Sequence, residues 1–161
     1  MRVLSDSGPL IHLARAGHFD LLQLLYRRLL IPPAVYNEVA VRGRGRDGSR
    51  ELSRAKWIHR RRPRREDIVK ALGTFLGLGE AEAIALAAER KGTLLLIDEV
   101  HGRRVASRMG IPIKGTLGLL LEGYRARHVP DLQVAVARMR ERGTWIDEDV
   151  VTTILAAARE R

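Results

Sequence analysis

Short apolar runs alternate along the chain with longer stretches in which apolar residues recur at helical spacing. Four short runs predict buried strands: Val3 to Ser5, Leu29 to Ile31, Thr93 to Ile97 and Ile111 to Ile113. The longer stretches predict helices at Gly8 to Ala16, Phe19 to Arg27, Pro32 to Val41, Gly79 to Lys91, Glu99 to Met109 and Thr116 to Arg125. Because strands alternate with helices, the pattern predicts an α/β fold, a three-layer α/β/α sandwich around a central parallel sheet.

The length of 161 residues fits one domain that spans residues 1–161. Two further helical stretches, at about 130–142 and 147–159, predict a helical C-terminal extension over about 130–161. Residues 42–65 break the alternation with three glycines, many arginines and Pro63. We expect an insertion or mobile segment there, with a short helix near Arg50 to Lys56.

The net charge of +10 is concentrated in one part of the chain. Residues 42–65 contain ten arginines and Lys56 against two acids, a local charge of +9, which leaves +1 for all other residues. Such a segment suits a polyanion, because phosphate contacts release counterions, and RNA is the expected partner. The candidate contacts are Arg60, Arg61, Arg62, Arg64 and Arg65. The alternative is a solvated loop in an arginine-rich protein, since only four of the 29 basic residues are lysines.

The composition excludes several kinds of site. With no cysteine, disulfides, cysteine-ligated zinc, iron–sulfur clusters and thiol nucleophiles are ruled out. The sequence contains no run of about 18 apolar residues, and Arg2 and Asp6 interrupt the stretch where a signal peptide would be apolar. We therefore expect a cytoplasmic protein that makes no membrane contact.

Two aspartates directly follow predicted strands, Asp6 after the first and Asp98 after the third. Ligands of open parallel sheets bind beyond the carboxyl ends of the strands, so both are candidates for a functional site. A single aspartate in this position is often only the N-cap of the next helix. Two of them on neighbouring strands favour a site.

Two glutamates are candidates to join these aspartates. Glu38 lies three positions after Val35, near the apolar face of a predicted helix, and Glu80 opens an alanine-rich helix. Each can instead cap a helix or face solvent. Glu82 is an alternative to Glu80, because two residues along a helix turn a side chain by about 200° and only one of the pair can face the site. Glu99, beside Asp98, is a candidate auxiliary ligand.

Four carboxylates at one sheet edge repel one another unless a cation neutralises them. Oxygen ligands without cysteine or a histidine pair select Mg²⁺ or Mn²⁺, which activate water and stabilise a phosphodiester under attack. Competing motifs do not fit: no Gly-x-Gly-x-x-Gly follows a strand, no phosphate-binding Gly-Lys-Ser/Thr is present, and the five histidines show no ligand spacing. An acidic metal site beside a cationic segment predicts a nuclease.

Five blocks of the chain, each carrying a polar or acidic residue at its expected place, are similar in order to those of PIN-domain proteins. They are Asp6 to Ile11, Ile31 to Val39, Leu78 to Ile84, Leu95 to Glu99 and Gly115 to Gly118. The resemblance runs from about Val3 to Arg127. The most similar branch is the prokaryotic one of VapC-like ribonuclease toxins from toxin–antitoxin pairs.

The resemblance implies a Mg²⁺- or Mn²⁺-dependent endoribonuclease, a toxin that forms a homodimer and is inhibited by an antitoxin protein inserted into its groove. It also assigns residues. The catalytic acids are Asp6, Glu38, Glu80 and Asp98, of which Asp6, Glu80 and Asp98 bind the metal. Ser7 corresponds to a hydroxyl residue that orients the first aspartate, Thr116 supports the site, and Gly8 stands where many members have Ser or Asn.

Two other functions remain open at this point. A nucleic-acid-binding regulator could keep the same fold without cleaving RNA. A receiver-like signalling domain could use Asp6 or Asp98 as a phosphoacceptor, although the paired acids expected after its first strand are missing.

Overall fold

A computed structural model describes residues 1–160 as one parallel five-stranded sheet with helices on both faces. The strands are β1 (Val3–Ser5), β2 (Leu29–Ile31), β3 (Ile58–Arg60), β4 (Leu94–Leu96) and β5 (Ile113–Lys114). The helices are α1 (Ser7–Arg15), α2 (Leu21–Tyr26), α3 (Pro33–Tyr36), α4 (Ser49–Arg54), α5 (Glu66–Gly73), α6 (Leu78–Ala88), α7 (Val100–Arg108), α8 (Thr116–Arg125), α9 (Leu132–Glu141) and α10 (Glu148–Arg159). The predicted α/β/α sandwich with a central parallel sheet is confirmed.

The strand order is β3-β2-β1-β4-β5, which places β1 at the centre. In β1, Leu4 pairs with Leu30 on one side and with Leu95 on the other, and all three residues of β1 are buried. The chain runs from β1 outward through β2 to β3 and then returns to the other side of β1 at β4, so a crevice opens between the carboxyl ends of β1 and β4. Asp6 and Asp98 follow these two strands directly or after one further residue, and both therefore lie at this crevice.

Two apolar layers cover the sheet. One layer packs α1, α2, α8 and α9 against one face around Leu10, Leu22 and Leu119. The other packs α5, α6 and α7 against the opposite face around Ile84 and Leu95. Helix α9 buries Leu132, Ala135, Val136 and Met139 in the first layer. The C-terminal helices thus contribute to the core, and the apolar periodicity predicted them within two residues.

Residues 42–65 contain α4, close to the short helix expected near Arg50 to Lys56, and the edge strand β3, which was not predicted. Strand β3 pairs with β2 through the register Leu30↔His59 and Ile31↔Arg60. An edge strand is held mainly by its backbone hydrogen bonds, and two of the three β3 side chains are exposed. The hydrophobic pattern therefore carries little signal for it. Helix α5 was not predicted either, and it buries only Leu72.

The stretch predicted as one helix from Pro32 to Val41 changes its winding on the way. Helix α3 continues directly as a π-helix over Asn37–Arg42, and Glu38 is its second residue. A side chain at Gly43, just after it, would lie 2.6 Å from the carbonyl oxygen of Val39, so only glycine fits. Wider turns of this kind often occur at functional sites. None of the helices within residues 1–160 has the length and apolarity needed to cross a bilayer.

Candidate active site

The carboxyl ends of β1 and β4 open into a cleft of about 680 Å³. Its polar lining includes every carboxylate proposed for the cluster together with the two supporting hydroxyl residues: Asp6, Ser7, Glu38, Glu80, Asp98, Glu99 and Thr116. The structure thus gathers side chains that are separated by more than a hundred positions in the sequence. Glu82 does not line this cleft.

Asp6 forms the buried floor of the cleft. Its side chain follows β1, its backbone N–H donates to the carbonyl of Leu96 (2.9 Å), and only 5% of the residue is exposed. No group within residues 1–160 donates a hydrogen bond to its buried Oδ1 atom. Burial raises the pKa of Asp6 to about 6, and the charges of Glu38 and Asp98 add to the rise. The Asp6 Oδ1 atom is therefore a buried acceptor without a hydrogen-bond donor among the described residues.

Asp98 is held on both oxygens. Thr116 donates its backbone N–H to Oδ1 (2.7 Å) and its hydroxyl to Oδ2 (2.6 Å), and Nδ1 of His12 lies 2.7 Å from Oδ2. Burial acts to raise the pKa of Asp98, but the hydrogen bonds from His12 and Thr116 outweigh it and bring the pKa below its ordinary value. These contacts therefore favour the ionised form of Asp98.

His12 was missed by the sequence analysis. It lies on α1, one turn after Gly8, and a side chain at Gly8 would itself be 3.2 Å from Asp98 Oδ2. The spacing of Gly8 and His12 on the helix that follows Asp6 is the one sequence signal that could have placed His12 near the cluster. The absence of a histidine pair, used to exclude zinc, said nothing about a single histidine that contacts a carboxylate.

Glu80 and Glu99 are neighbouring carboxyl groups whose pKa values shift in opposite directions. Burial raises the pKa of Glu80 to about 7, and its hydrogen bond with Glu99 and the charge of Asp6 act in the same direction. Burial works against ionisation of Glu99 as well, but the N–H groups of Gly102 and His101 bring its pKa below the ordinary value. Glu99 caps α7 through these two N–H groups (2.7 Å and 3.0 Å). These two hydrogen bonds fix the position from which Glu99 interacts with Glu80.

Glu38 is held by Ser7, whose hydroxyl donates to Glu38 Oε2 (2.7 Å). This corrects the expected role of Ser7: its hydroxyl orients Glu38, and only its backbone N–H serves Asp6. A side chain at Gly79 would lie 2.6 Å from Glu38 Oε1. The glycine at the start of α6 therefore makes room for Glu38 beside Glu80.

The two glutamates at the start of α6 have different surroundings. Glu80 lines the cleft, whereas Glu82 points to α3, where its Oε1 accepts a hydrogen bond from the backbone N–H of Ala34 (2.9 Å). Glu82 therefore satisfies a free N–H group in the first turn of α3. The structure separates the two alternatives by position: Glu80 belongs to the acidic cluster and Glu82 to a helix cap.

The acidic cluster fits a hard divalent cation in its chemistry. Among the residues that the structure describes, no three His, Asp or Glu side chains are assembled closely enough to hold a metal ion as they stand. The available donors are nevertheless carboxylate oxygens, one buried oxygen of Asp6 lacks a hydrogen bond, and burial together with neighbouring carboxylates raises the pKa of Asp6 and Glu80. A hard divalent cation binds carboxylate oxygens, gives the buried Asp6 oxygen a partner and favours the ionised forms of Asp6 and Glu80.

A second part of the cleft lining is mainly apolar, although Asp147 also belongs to it, and it was not predicted. It comes from the end of α9, the turn that follows it and the start of α10, with further contributions from α7 and α8. Its apolar members are Val100, Leu117, Met139, Trp145, Ile146 and Val150. Residues so far apart along the chain carry no shared sequence signal.

The five arginines proposed to contact RNA divide into two groups. The Arg60 guanidinium lies 4.0 Å from the centre of the Tyr36 ring, and Arg65 pairs with Asp67 (2.7 Å). The other three, Arg61, Arg62 and Arg64, line a cavity of about 500 Å³ together with Arg2 and Arg90. Arg2 and Arg90 come from the amino ends of β1 and β4, and the cavity shares no lining residue with the acidic cleft.

A second basic groove borders the cleft more closely. It has a volume of about 880 Å³ and contains Arg44, Arg46, Arg50, Arg54 and Arg142. Its Asp47 accepts hydrogen bonds from Arg142 (2.7 Å) and Arg15 (3.3 Å), and Arg15 also donates to the Thr144 hydroxyl (3.1 Å). Since Thr144 lines the acidic cleft, this chain of contacts joins the groove to it.

A family model described as a PIN domain, DUF3368, matches residues 2–160. No curated protein and no solved structure matches the chain. The match covers the whole sheet and also α9 and α10, which form one wall of the cleft and lay beyond the main blocks of the sequence resemblance. The chain therefore belongs to the PIN-domain family.

Proposed function

We propose that this protein is a Mg²⁺- or Mn²⁺-dependent endoribonuclease that hydrolyses RNA phosphodiester bonds in the acidic cleft. PIN domains are generally nucleases, and PIN nucleases bind RNA. The observation that carries the proposal is the buried Asp6 Oδ1, to which no group within residues 1–160 donates a hydrogen bond, in a cleft lined by five further carboxylates. A cleft built to stay empty of cations would place donors against that oxygen.

In this proposal Asp6, Glu80 and Asp98 hold the divalent ion, and Glu38 completes the set of catalytic acids. The ion, when bound, neutralises charge on the phosphodiester and acidifies water. His12 and Thr116 fix the Asp98 carboxylate in its ionised form. Glu38, whose side chain is 33% exposed, accepts the Ser7 hydroxyl on one oxygen, and in this proposal it takes a proton from the attacking water.

RNA binding is supported by the charge of the molecule, +10 overall and mainly in residues 42–65. Arg61, Arg62 and Arg64 remain proposed phosphate contacts, now at a distance from the cleft. Arg60 and Arg65 are weaker contacts, because Tyr36 and Asp67 already engage them. The groove of Arg44, Arg46 and Arg50 is closer to the cleft and suits the strand that enters it.

The biological setting rests on the sequence resemblance to VapC-like toxins. We propose a cytoplasmic toxin of a toxin–antitoxin pair, active as a homodimer and inhibited by an antitoxin protein. Co-expression tests this part: induction of the chain alone arrests growth, and induction together with the neighbouring reading frame restores it. Unchanged growth on induction of active enzyme contradicts the toxin assignment and leaves the nuclease assignment standing.

The nuclease activity is tested by incubating the protein with a mixed RNA pool in Mg²⁺ or Mn²⁺. EDTA and the variant Asp98→Asn should each abolish cleavage, and Glu80→Gln serves as a second variant in case loss of the Asp98 contacts impairs folding. Glu82→Gln is the matched control, because Glu82 lies on the same helix outside the cleft. Cleavage that survives EDTA and both variants overturns the proposal.

A non-catalytic RNA-binding regulator with the same fold is the second candidate. It is favoured by one observation: within residues 1–160 the acidic side chains are not assembled around a point as a metal site. Binding of RNA without cleavage at any metal concentration would support this alternative.

A further inference from the structure

The cleft lining has an acidic part and a mainly apolar part, and Trp145 belongs to the second. Asp6, Glu38, Glu80 and Asp98 line the acidic part, whereas Trp145 lines the cleft with Met139, Ile146, Val150 and a single carboxylate, Asp147. The Trp145 residue is 83% exposed, although an indole is among the side chains that gain most from burial. Such exposure beside a proposed active site calls for a ligand that covers the ring.

The backbone on both sides of Trp145 is held in place. The Thr144 N–H donates to the Met139 carbonyl (2.9 Å), and its hydroxyl accepts from Arg15. The Ile146 carbonyl accepts from Arg140 (2.8 Å), and Ile146 packs against the core. The indole is thus presented from a fixed turn, which reduces the conformational entropy lost when a ligand binds.

We infer that Trp145 stacks on an unpaired base of the RNA strand, next to the position where the acids act. The inference rests on the proposed function and adds to it a residue that holds a base of the substrate. A flat aromatic ring binds the face of any base, whereas the bases of a duplex already stack on each other. The uncharged base suits the apolar wall, and the phosphate is left to the acidic side and its cation.

The basic groove supports this arrangement. The link from Asp47 through Arg15 to Thr144 connects the groove to the turn that carries Trp145. A strand whose phosphates follow the groove therefore reaches the cleft beside the indole. Cationic side chains along the backbone combined with an aromatic stacking surface are the usual elements of single-strand binding.

Binding without cleavage tests the inference. The background variant Trp57→Phe leaves Trp145 as the one tryptophan, since the chain has two, and keeps an aromatic ring against Phe19. An eight-nucleotide single-stranded RNA in EDTA should quench Trp145 fluorescence. Trp145→Ala should weaken binding of this RNA by about 5- to 100-fold, measured by anisotropy, and Trp145→Phe should recover most of the affinity.

Two RNA controls and one protein control make the test specific. The parent and Trp145→Ala should bind an abasic strand of equal length with the same affinity. The two proteins should also have equal affinities for a fully paired duplex. Phe75→Ala removes an aromatic residue that is 51% exposed but does not line the cleft, and it should leave binding unchanged. Equal affinity of Trp145→Ala and the parent for the single strand overturns the inference.

The outcome for this inference is separable from that for the proposed function. If the parent cleaves RNA in Mn²⁺ and Trp145→Ala binds and cleaves it equally well, the stacking role is wrong and the nuclease assignment stands. If Trp145 quenching is seen and no metal supports cleavage, the hydrolytic function is wrong and the single-strand site stands. A sedimentation shift on Trp145→Ala with unchanged RNA affinity would place the indole in a protein interface and overturn the inference.

Discussion

Thr116 holds both carboxylate oxygens of Asp98, one through its backbone N–H and one through its hydroxyl. Because Thr116 begins α8, Asp98 also lies at the positive end of that helix. The carboxylate is therefore fixed and ionised before any cation binds. Asp6, in contrast, is buried with one oxygen free and has a pKa of about 6. The two strand-end aspartates thus have different electrostatic roles in the same cleft.

Removal of the Thr116 hydroxyl should impair the site without unfolding the protein. In Thr116→Val, Asp98 loses a hydrogen bond to its charged form, which is worth about 1.5 to 3 kcal/mol. We expect kcat/KM for RNA cleavage to fall by about tenfold or more and the apparent Mn²⁺ affinity to fall with it. Thr116→Ser should retain most of the activity, as measured with a fluorogenic RNA.

The matched control is Thr93→Val. Thr93 is also buried, and its hydroxyl donates to the Arg90 carbonyl at the other end of the sheet. This variant should lose stability and keep its kcat/KM. Equal loss of activity in the two valine variants would mean that the effect comes from general destabilisation.

The metal-free protein should lose stability as the pH rises through the range in which Asp6 titrates. The folded-state pKa of about 6 lies above the ordinary value of 3.8, so the folded state holds a proton that the unfolded chain releases. The stability associated with this proton is complete below about pH 4 and is lost by about pH 7, a change of about 2 to 3 kcal/mol.

Thermal melts in EDTA measure this effect as the difference between Asp6→Asn and the parent, because other groups cancel in that comparison. The variant should gain in relative Tm between pH 4 and pH 7. Mn²⁺ should raise the Tm of the parent more at pH 7.5 than at pH 5, since protons and the cation compete for the same carboxylates. A Tm difference independent of pH would show that burial does not raise the pKa of Asp6.

Glu80 and Glu82 provide a matched pair on one helix. Glu80→Gln should lower kcat/KM by about 100-fold or more and abolish the Mn²⁺-dependent rise in Tm, because it removes a ligand charge. Glu82→Gln should keep its activity and lose about 1 kcal/mol of unfolding free energy, since Glu82 accepts the Ala34 N–H at the start of α3. The reverse pattern would show that Glu82, and not Glu80, acts with the acidic cluster.

The sequence predicts the strand-end acids because their position follows from local pattern: a short apolar run followed by Asp6 or Asp98. It leaves Glu80 and Glu82 open, since helical spacing shows that one faces the site but not which. Contacts between distant segments are out of its reach. The His12–Asp98 contact and the wall around Trp145 depend on how α1 and α9 pack, and no local rule fixes that packing.

The same limit explains why the positions of the arginines in the fold were not predicted. Residues 42–65 were correctly seen as the concentration of positive charge, but the pattern gave no position for it. Strand β3 divides this segment, so that Arg44, Arg46 and Arg50 line the groove that Asp47 and Arg15 link to the cleft, while Arg61, Arg62 and Arg64 line a separate cavity with Arg2. A backbone-paired strand such as β3 has too few buried side chains to be recognised before folding.

Removal of three positive charges from the groove of Arg44, Arg46 and Arg50 should affect RNA binding differently from removal of three charges from the cavity of Arg61, Arg62 and Arg64. Substitution of Arg44, Arg46 and Arg50 by glutamine should weaken binding of both an eight-nucleotide and a forty-nucleotide RNA and lower cleavage of both. Substitution of Arg61, Arg62 and Arg64 should weaken mainly the longer RNA, because their cavity shares no lining residue with the cleft or with the groove linked to it. For each RNA affected, three lost phosphate contacts should reduce the slope of log affinity against log salt by about two. If the second triple variant instead weakens the short RNA as strongly as the first, the strand enters the cleft from the side of Arg2, and the groove beside Arg15 is not its path.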